Sequence, residues 1–323
     1  MLFSILAIVA GFILLMWSAD RFIEGAAVSA RYAGTPPLVV GMLVIGFGTS
    51  APEMVVSAMA ALDGNPSLAL GNALGSNIIN ISLILGLTAM IAPLAVHSTI
   101  IRKELPILLL ITLALGVMLW DHNISSFEAW VLLIAFVSIV GWSLLSALRS
   151  RKSQLPPEVE QQVIPQSMTL SRAIFWLVTG LLLLVASSRI LVWGAVNIAQ
   201  ELGVSELTIG LTIVALGTSL PELAASLAAA RKGEHDLAVG NVVGSNMFNS
   251  LAVVGIAGAI EPISDVGAEI FWRDWSSVLF FTALLLLTAV KIGKAKTISR
   301  LEGGVFVLCY LSYNIYLIQG SVG

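Results

Sequence analysis

The chain has 323 residues, 58% of them hydrophobic and 11% charged, about half the charged fraction of an ordinary soluble domain. A formal net charge of −3 is too small to point to nucleic acid or an acidic partner, so neither is expected. The one cysteine, Cys309, excludes a disulfide within the chain and says nothing about redox compartment.

Apolar runs of about 18 residues or more recur along almost the whole length, each long enough to cross roughly 30 Å of hydrocarbon. They are continuous rather than alternating, which excludes a barrel. The expected fold class is therefore an all-α polytopic membrane protein in contact with a lipid bilayer. In chain order, runs and breakers predict ten helices: 2–31, 37–62, 67–91, 104–120, 126–147, 170–192, 206–230, 236–259, 274–290 and 302–319. Gly34-Thr35-Pro36-Pro37, Gly64-Asn65-Pro66 and Glu261-Pro262 mark turns between them. The first run, Leu2 to Trp17, is closed by no A-x-A pattern and is expected to stay as a helix. Trp17, Trp120, Trp193, Trp272 and Trp275 fall near run ends, where an interfacial belt is expected.

Charge sets a direction. With the N-terminus facing outward, the inward loops hold 14 of the 16 basic residues, leaving only Arg189 and Arg273 outside. Both termini are therefore expected to face away from the cytoplasm. Residues 1–147 form a first five-helix half and 170–323 a second. The Pro-rich, mixed-charge stretch 148–169 is read as a cytoplasmic connector within one membrane domain.

Residues 41–87 align without a gap with residues 210–256 at a constant offset of 169, with 19 identities in 47 positions. Weaker echoes precede them at the same offset, as in Ser18 with Ser187 and Gly25 with Gly194. The matches fall on Gly, Thr, Ser, Pro, Glu and Asn, which a shared lipid environment does not impose. Five helices separate one copy from the other, so the second copy is expected to be inverted across the bilayer. Secondary transporters are built this way, with ion sites near the midplane at the repeat interface.

Each copy carries G-T-S-x-P-E: Gly48-Thr49-Ser50-Ala51-Pro52-Glu53 and Gly217-Thr218-Ser219-Leu220-Pro221-Glu222. Helical spacing puts Thr49 and Ser50 on the face of Glu53. The proline lacks an N–H, so the carbonyl four residues earlier, at Gly48 or Gly217, loses its helical partner. A bound cation is expected to satisfy it. A lone glutamate at mid-helix reads as readily as a protonated carboxyl hydrogen-bonded in a helix interface. Two at equivalent positions, each beside hydroxyls and a freed carbonyl, point to a cation site.

The second element is G-N-x-x-G-S-N-x-x-N: Gly71-Asn72 to Asn80, and Gly240-Asn241 to Asn249. Asn72, Ser76 and Asn80 make one stripe, and Asn241, Ser245 and Asn249 repeat it. Helix packing alone accounts for Gly75, Gly244, Asn72 and Asn241, while Ser76, Ser245, Asn80 and Asn249 are expected to touch or closely surround an ion. Two carboxylates and two carbonyls supply about six oxygens, within the calcium range. No sulfur or imidazole lies near, which disfavours zinc or copper. His97, His122 and His235 sit at loop positions and are expected to be solvated, and Asp20, Arg21 and Glu24 to pair at the interface.

These two paired motifs closely resemble the α-repeats of the sodium/calcium exchangers in the calcium/cation antiporter superfamily. Over its length the chain looks like the YrbG-type members of the bacterial inner membrane. The resemblance implies ten helices, with the second, third, seventh and eighth forming a core across which long first and sixth helices slide. It implies that Glu53 and Glu222 bind calcium together with the backbone carbonyls of Thr49 and Thr218. Sodium sites would draw on Ser50, Ser219, Ser76 and Ser245 and on backbone oxygens of Gly46 and Ala215, with Asn80 and Asn249 lining the centre. Some relatives carry an aspartate where this chain has Asn249. The formal site charge is then −2, which calcium neutralises and three sodium ions overshoot by one.

The expected activity is calcium/sodium antiport by alternating access in a monomer, with no cofactor and no enzymatic reaction. Proton/calcium antiport at the same carboxylates is the nearest alternative and a passive cation channel a remote one. An intramembrane protease is disfavoured because no helix centre carries an aspartate and no histidine neighbours a serine there.

Overall fold

A computed structural model describes residues 1–96, 100–153, 168–202, 215–264, 266–290 and 297–322. The helices are α1 (Leu2–Ala33), α2 (Pro37–Leu62), α3 (Pro66–Ile91), α4 (Arg102–Asp121), α5 (Ser126–Ser153) and α6 (Leu170–Glu201). They continue as α7 (Ala215–Thr218), α8 (Leu220–Arg231), α9 (His235–Ile260), α10 (Ile270–Ala289) and α11 (Arg300–Val322). Eight helices among the described residues are long and apolar enough to cross a membrane. Large apolar side chains such as Phe3, Phe12, Val117, Phe127 and Leu182 face outward, as lipid rather than water as solvent requires. The chain is a multi-pass helical membrane protein.

Several sequence expectations are corrected. The sixth helix runs on to Glu201 rather than ending near 192, because Asn197 turns its amide back onto the Trp193 carbonyl (2.9 Å) and the helix tolerates it. Trp193 consequently sits inside that helix, as Trp17 does in the first; Trp17 meets Trp176 edge-on at 5.7 Å. The fifth helix continues to Ser153, into the stretch assigned to the connector, whose residues 154–167 lie outside the described residues. The expected helix 206–230 is described only from Ala215, and it breaks at Ser219 between α7 and α8. The fold is not purely helical: β1 (Leu94–Ala95) pairs antiparallel with β2 (Thr297–Ile298), and Ile124 bridges Ile263. His122 and His235 are half-buried rather than solvated, and His97 lies outside the described residues.

The chain divides into two compact units, Met1–Pro52 with Ile139–Asn241, and Glu53–Ser138 with Val242–Gly323. Each draws on both halves of the sequence. In the first, α1 and α6, 32 residues each, are about 48 Å long, more than a perpendicular span needs. They pack antiparallel. The Met1 amino group meets Glu201 Oε1 at 2.9 Å, and the Tyr32 hydroxyl donates to the Met168 carbonyl (3.2 Å). Glycine allows the approach: a Cβ on Gly25 would lie 2.6 Å from the Ala173 carbonyl, and one on Gly194 2.6 Å from the Ser4 carbonyl. Arg21 pairs with Glu24 (3.0 Å) and lies over the Trp176 ring.

In the second unit, α3 packs on α11 where Gly86 and Gly303 meet; a Cβ on Gly303 would lie 2.6 Å from the Gly86 carbonyl. Helices α5 and α11 start with the same capping box, Ser125 with Glu128 and Ser299 with Glu302, each hydroxyl donating to its carboxylate at 2.7 Å. Polar residues gather in the most enclosed helices. In α9, 83% of the most apolar window is buried, against 11% in α5. The least enclosed helix turns apolar side chains outward, while the most enclosed carries buried Asn241, Ser245, Asn246 and Asn249 among its apolar ones.

Candidate functional site

In the first unit the structure brings the two G-T-S-x-P-E motifs into contact. Ser50, fully buried in the unbroken helix α2, donates to Glu222 Oε1 (3.3 Å). Glu222, 1% exposed, lies in the first turn of α8, where unpaired N–H groups and the helix dipole favour an anion. Its Oε2 has no hydrogen-bond partner among the described residues, and neither has the buried Ser219 hydroxyl. Ser219 leaves helical geometry (φ −92, ψ 4) two residues before Pro221, whose missing N–H leaves the Gly217 carbonyl without its helical partner.

Asn241 ties this cluster together. Its amide donates to the Ser226 hydroxyl (2.8 Å) and the Glu222 carbonyl (3.1 Å), and its oxygen faces the Thr49 hydroxyl at 3.2 Å. Thr49 also lies 3.0 Å from the Ile45 carbonyl and 3.4 Å from that of Gly46. One hydroxyl proton serves only one of these acceptors at a time. Gly46 ends a π-helical segment, Gly41–Gly46, inside α2, a widened turn of the kind often found at functional sites. Ala215 opens α7. Thr218 is half-buried.

The expected role of the freed carbonyl needs correction in the second motif. The Gly217 carbonyl accepts a hydrogen bond from Ser188 Oγ of α6 (2.8 Å), so a protein hydroxyl satisfies it.

In the second unit Glu53 is 1% exposed. Four residues on, Ser57 accepts from the Asn72 amide (3.3 Å), the counterpart of the Asn241–Ser226 bond at the same offset. Asn80 and Asn249, each 1% exposed, lie in π-helical segments, Ile79–Ile84 and Asn249–Val253. Neither polar atom of either amide has a hydrogen-bond partner among the described residues, nor has the buried Ser245 hydroxyl. Ser76 is 3% exposed on the same stripe. Amide groups left this way inside a protein are costly unless a ligand or water meets them. Gly75 was expected to serve close packing, but a Cβ there or on Gly71 would meet open space.

Sequence reasoning missed four partners. Ser57 and Ser226 are identities within the repeat and could have been found there. Asn77, whose amide donates to Ser250 Oγ (2.8 Å), is also a repeat identity, with Asn246. Ser188 left no such trace, because the equivalent position is Ala19. Among the described residues no three His, Cys, Asp or Glu side chains cluster. The oxygens buried within each unit are carboxylate, hydroxyl, amide and carbonyl, donor types for hard cations.

Helices that cross a bilayer, with buried hard-oxygen donors in their interior, define a multi-span membrane protein equipped to handle cations. The chain belongs to the sodium/calcium exchanger family, whose profile matches residues 3–145 and 172–319. It is 43% identical to CaxA of Alkalimonas amylolytica over 99% of this chain and 100% of that protein. It is 39% identical to the inner membrane protein YrbG of Escherichia coli over 89% of each. The solved sodium-calcium exchanger NCX_Mj, soaked with sodium and no calcium, is similar at a TM-score of 0.83 and 29% identity. That match covers 96% of this chain and 97% of the other.

Proposed function

We propose that the protein exchanges calcium for sodium across the bacterial inner membrane by alternating access, with one central cation held by Glu53 and Glu222. The observation that carries this reading is the Ser50–Glu222 hydrogen bond. It joins the first motif to the carboxylate of the second, and Glu53 follows Ser50 by three residues on the same helix. The Thr49 and Thr218 carbonyls complete the calcium shell. Ser50, Ser219, Ser76, Ser245 and the carbonyls of Gly46 and Ala215 serve sodium, with Asn80 and Asn249 at the centre.

The proposed architecture is ten helices in two inverted repeats. Support comes from contacts that recur at the 169-residue offset. Ser18 bonds the Leu15 carbonyl (3.0 Å) as Ser187 bonds that of Leu184 (2.9 Å). Gly11 packs on Leu191 and Gly180 on Phe22, and the Asn–Ser pairs and π segments recur likewise. Both termini face the periplasm in this reading, which follows the basic residues, and the protein acts as a monomer.

A second reading draws on Asn249. With two formal charges, two protons discharge the carboxylates as fully as calcium does, so proton/calcium antiport fits the same residues. Calcium binding to the purified protein, with sodium as competitor, tests the site. Wild type is expected to bind calcium and release it to sodium, while Glu53→Gln and Glu222→Gln lose binding at least tenfold, about 1.4 kcal/mol. Normal binding by both variants defeats the assignment.

A further inference from the structure

Pro221 frees the Gly217 carbonyl, and Ser188 takes it at 2.8 Å from inside α6. Ser188 is 5% exposed, so water does not compete freely for its hydroxyl. One helical turn further on, Val192 packs against Gly217 so closely that a Cβ there would lie 2.2 Å from its Cγ2. Two side chains on one face of α6 therefore grip one residue, by a hydrogen bond and by shape.

Two residues beyond the grip the chain turns at Ser219 before re-entering the helix that carries Glu222. The first motif lacks this arrangement. The positions one repeat earlier are Ala19 and Ile23, with no hydroxyl to offer. Gly48 packs instead against Leu181 of α6, and Ser50 stays within a continuous helix. The two motifs share their chemistry but not their support.

We propose that Ser188 is a positioning residue for cation binding: it pins the break between α7 and α8, and so presents the Ser219 hydroxyl and the Glu222 carboxylate as a preformed half-site. The proposal rests on the reading of Glu222 as an ion ligand. It assigns Ser188 no contact with the ion. Without the hydroxyl, the Gly217 carbonyl must find another partner, and the break is no longer held in one geometry. Ions then bind to a less ordered half-site and pay its ordering on each cycle.

The test is exchange kinetics in proteoliposomes with calcium as the varied ion, using variants whose folding is checked by thermal unfolding and size exclusion. Ser188→Ala is expected to raise the calcium KM about fivefold, the effect of one neutral hydrogen bond, while the maximal rate stays near wild type. Ser188→Cys, which keeps the size and weakens the donor, is expected to shift KM the same way. Ser188→Thr restores a hydroxyl and is expected to return KM toward wild type. Unchanged or lower KM in folded Ser188→Ala and Ser188→Cys overturns the proposal, as does a threonine variant no better than alanine. Glu222→Gln, run alongside, separates the causes: if it binds calcium normally, the site reading fails, whereas if it loses calcium and Ser188→Ala does not change, only the role of Ser188 fails.

Discussion

Asn241 uses both amide hydrogens, toward Ser226 and the Glu222 carbonyl, and its oxygen faces Thr49. Asn241→Leu strands the Ser226 hydroxyl and that carbonyl together, and is expected to cost about 1–2 kcal/mol. Thermal unfolding in detergent should show a clearly lowered Tm. Asn72→Leu breaks a single 3.3 Å contact at a half-buried position and should lower Tm less; equal losses would contradict the difference in environment. The repeat made Asn241, Glu222 and Thr49 legible one by one as polar identities, and Ser226 was an identity of the same kind that went unread. Their pairing was not legible, because side-chain partners across helices depend on rotation and depth that spacing within one helix does not specify. Ser188 is the limiting case: its hydrogen bond to Gly217 lies where the repeat fails, opposite Ala19.

Helices were legible where apolar runs end on glycine, proline or a turn, as in α2, α3 and α9. They were misjudged where polar residues continue a helix, since Asn197 and Gln200 resemble a terminus but sit within α6. The π segments left no sequence mark, because the residues that form them are the same apolar and small types as in the α-helical turns on either side. Element packing offers its own test. Gly194→Val on α6 drives a side chain into the Ser4 carbonyl of α1, and backbone cannot yield as a flexible side chain can. Gly75→Ala on α3 meets open space and gains helix propensity of up to about 1 kcal/mol. Fluorescence size exclusion should show Gly194→Val with reduced folded yield and Gly75→Ala at wild-type yield. The reverse order would mean that the tight α1–α6 approach does not matter to folding.

For the whole molecule, composition made the class legible, while charge and the repeat supplied only an expected direction and an expected division into halves. The compact units combine both halves, which a linear reading does not reveal because long-range contacts, not chain order, build them. The proposed orientation predicts that a C-terminal alkaline phosphatase fusion is active and a C-terminal green fluorescent protein fusion dark; the opposite pattern overturns it. The central claim concerns which ions exchange, and calcium uptake into proteoliposomes against defined gradients tests it most directly. Sodium-loaded vesicles diluted into sodium-free calcium medium should accumulate calcium, and those bearing Glu53→Gln or Glu222→Gln should not. Uptake driven by a pH gradient but not by a sodium gradient, or undiminished in both variants, would contradict the account.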